Sequence, residues 1–426
     1  MIKKIMIYSL CFGFYLANAQ VDSLKMNIDF RTRTELDNGQ KTLIPKGKNA
    51  ETTIFSRARI GLDYYYQNLE MYFSAQDVRI WGETASTQIK NQNFTVNEAW
   101  AKYQFNPKAT LKIGRQILSY DNERLVGALD WAMQGRSFDA LKGIFSLGKN
   151  SKVEAVVTYN NDGDDTNDTP TNEVYGIADS GEKTKSLQLL HYQYKDSNKS
   201  RFSVIAMNNV LQNADGTHYD MLTAGVNAGK YFESFGIFGS GYYQTGNNTA
   251  GQSKKAYQFS LNADFIVSKQ FNIVVGTEWL SGNNYDTAAT ENRSFSPMYG
   301  TNHKFNGFMD YFYVGNHFNT FGLNDYYIQT KMKFSPKSNL TGNIHAFMTN
   351  GKQGMDSNGK DLSKYLGTEL DLVFQHKLNK QFGLFIGHSF MFASESMNTL
   401  KNVRDPKNLQ TWTWLALHFN PSFKLK

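Results

Sequence analysis

Arginine is the residue whose placement first suggests chemistry. Eight of the eleven arginines fall in one stretch: Arg31, Arg33, Arg57, Arg59, Arg79, Arg115, Arg124 and Arg136. A guanidinium stays charged and presents a planar fork that grips carboxylates two bonds at a time. A ladder of them along a passage lowers the barrier for an entering anion, as charged rings do in anion-selective pores. A lattice of structural ion pairs is the competing account. Residues 21–140 hold 8 Arg and 8 Lys against 14 Asp or Glu, a balance of only +2. Asp29, Asp63, Asp77 and Glu98 are the candidate partners. Both readings stay open on sequence alone.

Other chemistry is sparse. Asp162, Asp164, Thr166 and Asp168 alternate in an acidic stretch and could offer oxygen ligands to Ca²⁺, but no bidentate Glu follows at the EF-hand position. An acidic, solvated loop is the simpler account, and no other cofactor is expected. There is no HExxH, G-x-S-x-G or Walker motif, and the eight His are scattered. The single Cys, Cys11, excludes disulfide scaffolds and thiolate sites from a processed chain. A net charge of +7 over 426 residues is too mild for a nucleic-acid partner. The chain is read as non-enzymatic, although a fold can bring distant Ser, His and Asp together.

The elements that must position the arginines alternate with period 2. Leu24, Met26, Ile28 and Phe30 interleave with Lys25, Asn27, Asp29 and Arg31, so the two sets occupy opposite faces of a strand. Ala58, Ile60, Leu62 and Tyr64 likewise oppose Arg57, Arg59 and Asp63. Eighteen such segments are expected, near 24–36, 52–66, 69–80, 94–105, 110–118, 136–147, 152–160, 185–194, 201–212, 220–232, 235–245, 254–267, 271–281, 323–334, 339–349, 363–376, 381–395 and 409–420. Short links such as Gln67-Asn68 and Glu233-Ser234 alternate with long ones at 37–51, 81–93, 119–135, 161–184 and 282–322. That pattern, the even strand number and the aromatic content predict an all-β transmembrane barrel with short periplasmic turns and long extracellular loops. An energy-coupled transporter would need about 22 strands and a plug. The arginines on the polar parity of the first two strands then face the lumen.

An export signal is expected over residues 1–19. Lys3 and Lys4 precede the apolar run Ile5 to Leu16, and Ala17-Asn18-Ala19 supplies a small-x-small site. Tyr8-Ser9-Leu10 makes a poor lipobox before Cys11. Residues 20–426 form the barrel domain, placed in the outer membrane of a Gram-negative bacterium.

Several blocks carry a resemblance. They are Gln76-Asp77-Val78-Arg79-Ile80-Trp81-Gly82, Leu111 to Gln116, Arg124-Leu125-Val126-Gly127, Trp131, Gly135 to Ala140, and Tyr299 to Tyr311. Together they resemble the alginate export family of outer-membrane porins, over nearly the whole mature chain, with Gly114 to Ala140 the most specific part. The resemblance implies an 18-stranded barrel and a narrow arginine-lined channel for a polyuronate. It carries over Arg79, Arg115, Arg124 and Arg136 as channel candidates.

The expected function is passive conduction of an anionic solute, such as an acidic polysaccharide or its oligosaccharides, by a monomer in contact with outer-membrane lipid. Weak, multi-site binding is required, since one tight site would block flow. A general porin for small nutrients or organic acids, and a surface binding or adhesion barrel, are the alternatives. Loop 282–322, with polar residues His303, Lys304 and Asp310, could fold inward as a constriction. The sequence favours an extracellular cap packed by its own aromatics.

Overall fold

The computed structural model describes residues 23–83, 93–160, 183–197, 199–213, 216–313, 316–317, 320–355 and 359–425. The proposed export signal and the Asp162, Asp164, Thr166 and Asp168 stretch lie outside the described residues.

Apolar–polar alternation builds eighteen long strands: β1 (Ser23–Asn38), β2 (Glu51–Tyr66), β3 (Leu69–Ile80), β4 (Phe94–Asn106), β5 (Ala109–Gln116), β6 (Phe138–Ser146), β7 (Ser151–Tyr159), β8 (Lys183–Lys195), β9 (Arg201–Gln212), β10 (His218–Tyr231), β11 (Phe235–Asn247), β12 (Ser253–Ile266), β13 (Phe271–Leu280), β15 (Leu323–Lys333), β16 (Ser338–Met348), β17 (Tyr365–Lys377), β18 (Phe382–Ala393) and β19 (Gln410–Phe419). Two short pieces join them. β14 (Glu291–Asn292) bridges β12, and β20 (Ser422–Leu425) pairs with the start of β1. A single-turn helix, α1 (Glu395–Leu400), follows β18. Each long strand pairs antiparallel with the next, and β1 closes on β19 from Phe30↔Phe419 to Asn38↔Thr411. Closure leaves no free sheet edge, which a bilayer demands.

The faces are inverted relative to a soluble sandwich. Ile60, Phe73, Ile113, Leu190, Leu261, Ile328 and Leu415 point outward and are exposed, whereas Arg57, Gln76, Glu278, Asp325, Glu369 and Asp371 point inward and are buried. Lipid outside and a polar interior account for both sets.

The interior is not uniformly polar. Val156, Leu187, Leu189, Ile205, Met207, Met221 and Tyr242 on β7 to β11 face inward, forming one core with Phe295, Met298, Tyr299, Met309, Tyr311 and Phe312. Loop 281–322 therefore folds into the barrel, correcting the favoured expectation of an extracellular cap. Burying each such side chain gains about 1.5–3 kcal/mol, and a cap outside would leave that wall wet. Loop 117–137 folds in beside it. Val126 bridges Tyr299 in parallel, and Gly127 N donates to Tyr299 O at 2.8 Å. Gly300 lies so close to the Arg124 carbonyl that no Cβ fits between them.

Candidate functional site

Beside that core the interior keeps open space in two regions: about 230 Å³ against β9 to β16, between Arg201, Asn227, Asn262, Glu278, Asn306 and Tyr327, and a pair of cavities against β1 to β3. A cavity of about 580 Å³ lies at the long-loop end, between Arg33, Glu35, Asp37 and Phe55 on the wall and Trp131, Gln134, His303 and Asp310 on the loops. A second, of about 260 Å³, lies towards the short turns, between Asp29, Arg59, Tyr72 and Pro421. The register puts Arg31 opposite Arg57 and Asp29 opposite Arg59. From Asp29 to Arg33 the wall rises about 13 Å at 3.3 Å per residue, so one layer of side chains separates the cavities.

That layer is an arginine ladder crossed by a strap of main chain. Arg31 donates to Asp130 O (3.0 Å), Arg33 to Trp131 O (2.8 Å), Arg57 to Met133 O (2.9 Å) and Arg59 to Gln134 O (3.4 Å). Four guanidiniums thus meet four carbonyls of one short segment. Carboxylates complete the layer. Asp29 binds Arg31 (3.1 Å) and Arg57 (2.5 Å), Asp130 binds Arg31 (2.7 Å) and Arg57 (3.1 Å), and Glu35 binds Arg33 (2.6 Å). Burial alone would push the Asp130 carboxyl up, but the charges and hydrogen bonds of Arg31 and Arg57 outweigh it and hold it below its ordinary range. Four arginines against Asp29, Glu35 and Asp130 leave one positive charge in excess.

Three ladder donors remain over, of which Arg57 Nε is buried inside the layer and two reach the cavities. Among the described residues, Nη2 of Arg33 and Nη1 of Arg59 make no hydrogen bond, although Arg33 is tied through Nε and Nη1, and Arg59 through Nε and Nη2. Arg33 lines the upper cavity and Arg59 the lower one. Trp131 fixes the upper end. Its ring stacks on His303 at 4.1 Å, carries the Arg33 guanidinium at 4.1 Å, and rests edge-on against Trp412 and Trp414.

The other candidate arginines are placed differently. Arg124 is buried and binds Glu278 (2.8 Å) and Asn306 (2.7 Å), pinning the two inward loops to β13. Arg136 is buried on the carbonyls of Tyr299 and Gly300. Arg79 and Arg115 lie on the outward parity, each paired with an acid, Asp77 (2.6 Å) and Asp139 (3.0 Å), and Arg79, at the end of β3, also borders the upper cavity. Of the candidate partners, Asp29 joins the ladder. Asp77 serves Arg79 outside it, Asp63 accepts from Asn27, and Glu98 accepts from Trp100 and the Ile117 amide. His303 and Asp310 bond each other at 3.0 Å beside the upper cavity, and Lys304 donates to Asn122 O. Sequence reasoning missed Asp130 and the strap. Nothing in the residues of 130–134 says that the segment turns into the barrel.

On the far side of the seam from the ladder, Glu278 on β13, Asp325 on β15, and Glu369 and Asp371 on β17 form an acidic wall that holds loop 281–322. Asn306 donates to Glu278 (2.8 Å), Phe308 N to Asp371 (3.3 Å) and Met309 N to Glu369 (2.8 Å). Gly307, at φ +83°, lies flat against Glu369 where a Cβ would collide. Among the described residues no group of three or more His, Cys, Asp or Glu is arranged to hold a metal ion.

The alginate export family model matches residues 22–403. The chain belongs to the alginate export family. No curated protein matches the sequence. Solved structures share the fold at low identity. OccAB1 of Acinetobacter baumannii superposes with a TM-score of 0.63 at 14% identity, covering 95% of this chain and 99% of that one. OccAB4 of the same organism gives 0.62 at 11%, covering 95% and 99%. OpdK of Pseudomonas aeruginosa gives 0.61 at 10%, covering 95% and 100%. This member of the family is an outer-membrane β-barrel channel of eighteen strands, in contact with membrane lipid and passing solutes.

Proposed function

We propose that the channel passively conducts an anionic solute, most concretely an acidic polysaccharide or its oligosaccharides, along the ladder on β1 and β2. The observation that carries this reading is one unspent guanidinium donor at each cavity, Arg33 above and Arg59 below, with Arg31 and Arg57 between. A carboxylate is a stronger acceptor for a guanidinium than the neutral carbonyls of the strap, because it carries a full opposite charge and can take two parallel N–H bonds at once. An incoming acid group would exchange a carbonyl for itself at each rung. Asp29, Glu35 and Asp130 compete for the same donors, so each exchange is nearly balanced and the solute is not trapped. Arg124 and Arg136 serve as structural anchors in this scheme, Arg79 borders the upper cavity while paired with Asp77, and Arg115 stands off the path.

Single-channel recording tests it. Anion selectivity in a salt gradient, block by oligouronates, and weakening of that block by Arg33→Gln or Arg59→Gln are expected. A large current indifferent to oligouronates would refute it. The second reading, a pore for small organic acids, draws support from the OpdK crystal structure with vanillate, a same-fold barrel at 10% identity and a TM-score of 0.60. It predicts block by monomeric carboxylates with no gain from chain length.

A further inference from the structure

A second basic feature lies on the lumen wall beside the ladder. Lys102 on β4 is directly opposite Lys112 on β5, and Lys112 is directly opposite Lys142 on β6. All three share the inward parity of Trp100, Gly114 and Ala140, away from exposed Ile113 and Leu141. Like charges placed directly across strands are destabilising, and a lysine ammonium is strongly hydrated, so a wall gains nothing from three in a row.

The flanking acids satisfy only the ends of the row. Glu70 pairs with Lys102, and Glu154 pairs with Lys142 (3.7 Å) and with Lys152 (2.5 Å). Central Lys112 makes no hydrogen bond or ion pair among the described residues, and its ammonium stands 3.5 Å over the Trp100 ring. Trp100 in turn packs on Tyr72 at 5.7 Å, and Tyr72 lines the lower cavity together with Arg59. The row is therefore continuous with the ladder through an aromatic pair.

We infer that Lys102, Lys112 and Lys142 form a separate anion-binding station on the short-turn side of the lumen, for a ligand bearing several oxyanions along its length. Neighbouring strands are about 4.8 Å apart, close to the length of one sugar residue, so a chain of acidic sugars laid across β4 to β6 meets one ammonium per residue. Lys112 is the centre because its charge is uncommitted. The choice of an acidic saccharide rests on the proposed function, whereas the oxyanion chemistry does not.

The test uses the full barrel in a planar bilayer, with trigalacturonate or inorganic pyrophosphate added to one side at a time. From the short-turn side both probes should block the wild type, and Lys112→Gln should raise the midpoint about tenfold, the worth of one charge-assisted hydrogen bond. Lys112→Arg should restore it, and block from the long-loop side should change less than about twofold. Heat-modifiable gel mobility checks that each variant is folded. Pyrophosphate block that depends on Lys112, without any trigalacturonate block, keeps the station and sinks the saccharide. Block by both probes that ignores Lys112→Gln overturns the station and leaves the saccharide reading standing. Absence of block from the short-turn side overturns the station outright.

Discussion

Replacing Asp130 by Asn should make the channel more anion-selective. Asp130 is the strap's own carboxylate, bonded to Arg31 at 2.7 Å and to Arg57 at 3.1 Å, with its side chain 52% exposed. A solute carboxylate that takes either guanidinium must come within about 4 Å of it, where two like charges repel by about 1 kcal/mol in water and about 4 kcal/mol at an effective dielectric of 20. The half-exposed side chain favours the lower figure. Removing the charge should then raise anion occupancy about fivefold, since 1.4 kcal/mol is a factor of ten. The excess at the ladder rises from one positive charge to two. The assay is the reversal potential in a potassium chloride gradient, with Asp130→Glu as the control that keeps the charge. Acidity offers a second check. Because Arg31 and Arg57 hold this carboxyl below its ordinary range, the wild type should keep its selectivity at pH 4 and approach the Asn variant only in stronger acid. The sign follows for stability too. The bonds of Asp130 are fully present above the unfolded carboxyl value near 3.9 and fade as pH falls through the lower folded value. An unchanged or reduced anion preference in the Asn variant, at normal conductance, would show that Asp130 does not face the conducting path.

Three further outcomes are expected. His317, buried beside Lys401 and donating to Gly322 O, has its ring pushed down to about 3 by burial and then by the Lys401 charge. A base lowered in the folded state contributes stability above its unfolded value near 6.5 that is lost as pH falls towards 3, so amide protection factors around His317, taken relative to intrinsic exchange at each pH, should fall across that window and stay flat in His317→Phe. Gly307→Ala forces a side chain into the left-handed region and into Glu369; a cost of about 1–3 kcal/mol should loosen loop 281–322 and appear as noisier, larger single-channel currents. Ile60→Arg places a charge on the lipid face one residue from Arg59, and should cost about 2–4 kcal/mol near the bilayer midplane in reversible urea unfolding, whereas Arg59→Gln should leave barrel stability nearly unchanged.

Strand existence and sidedness were legible because alternation is a local property. The eighteen expected segments coincide with the eighteen long strands, and Ile60 against Arg59 announces lipid and lumen without tertiary knowledge. The same rule, carried further along β3 and β5, places Arg79 with Phe73 and Arg115 with Ile113 on the outward parity, although Arg79, at the strand end, also borders the upper cavity. Other features depend on long-range packing. Loop 281–322 turns inward because strands such as β8 and β9 carry apolar residues on both faces, Leu187 and Ile205 inward as well as Leu190 and Val204 outward. Two-sided strands blur the alternation and were not read as a demand for something to fill the lumen. The strap could not be found locally at all, since it meets the arginines through its own main-chain carbonyls, which carry no residue signature. The opposed lysines needed strand register, which alternation does not supply.

The ladder stands beside the seam where the cylinder closes. Its β1 half pairs with β19, whose Trp412 donates to Glu35 at 3.1 Å and, with Trp414, supports Trp131. Above the seam the first and last long loops clasp through the Pro45–Pro406 bridge and the Lys46–Asp405 pair. Contacts joining residues nearly four hundred positions apart form last in a chain that must pay loop-closure entropy before non-local pairing rewards it. The ladder and its strap come from residues 29–134, but the Trp412 bond to Glu35 and the support of Trp131 by Trp412 and Trp414 arrive only with the event that seals the molecule. Permeation and completed assembly are coupled by geometry, so acquisition of anion selectivity can serve as a readout of the final step of biogenesis.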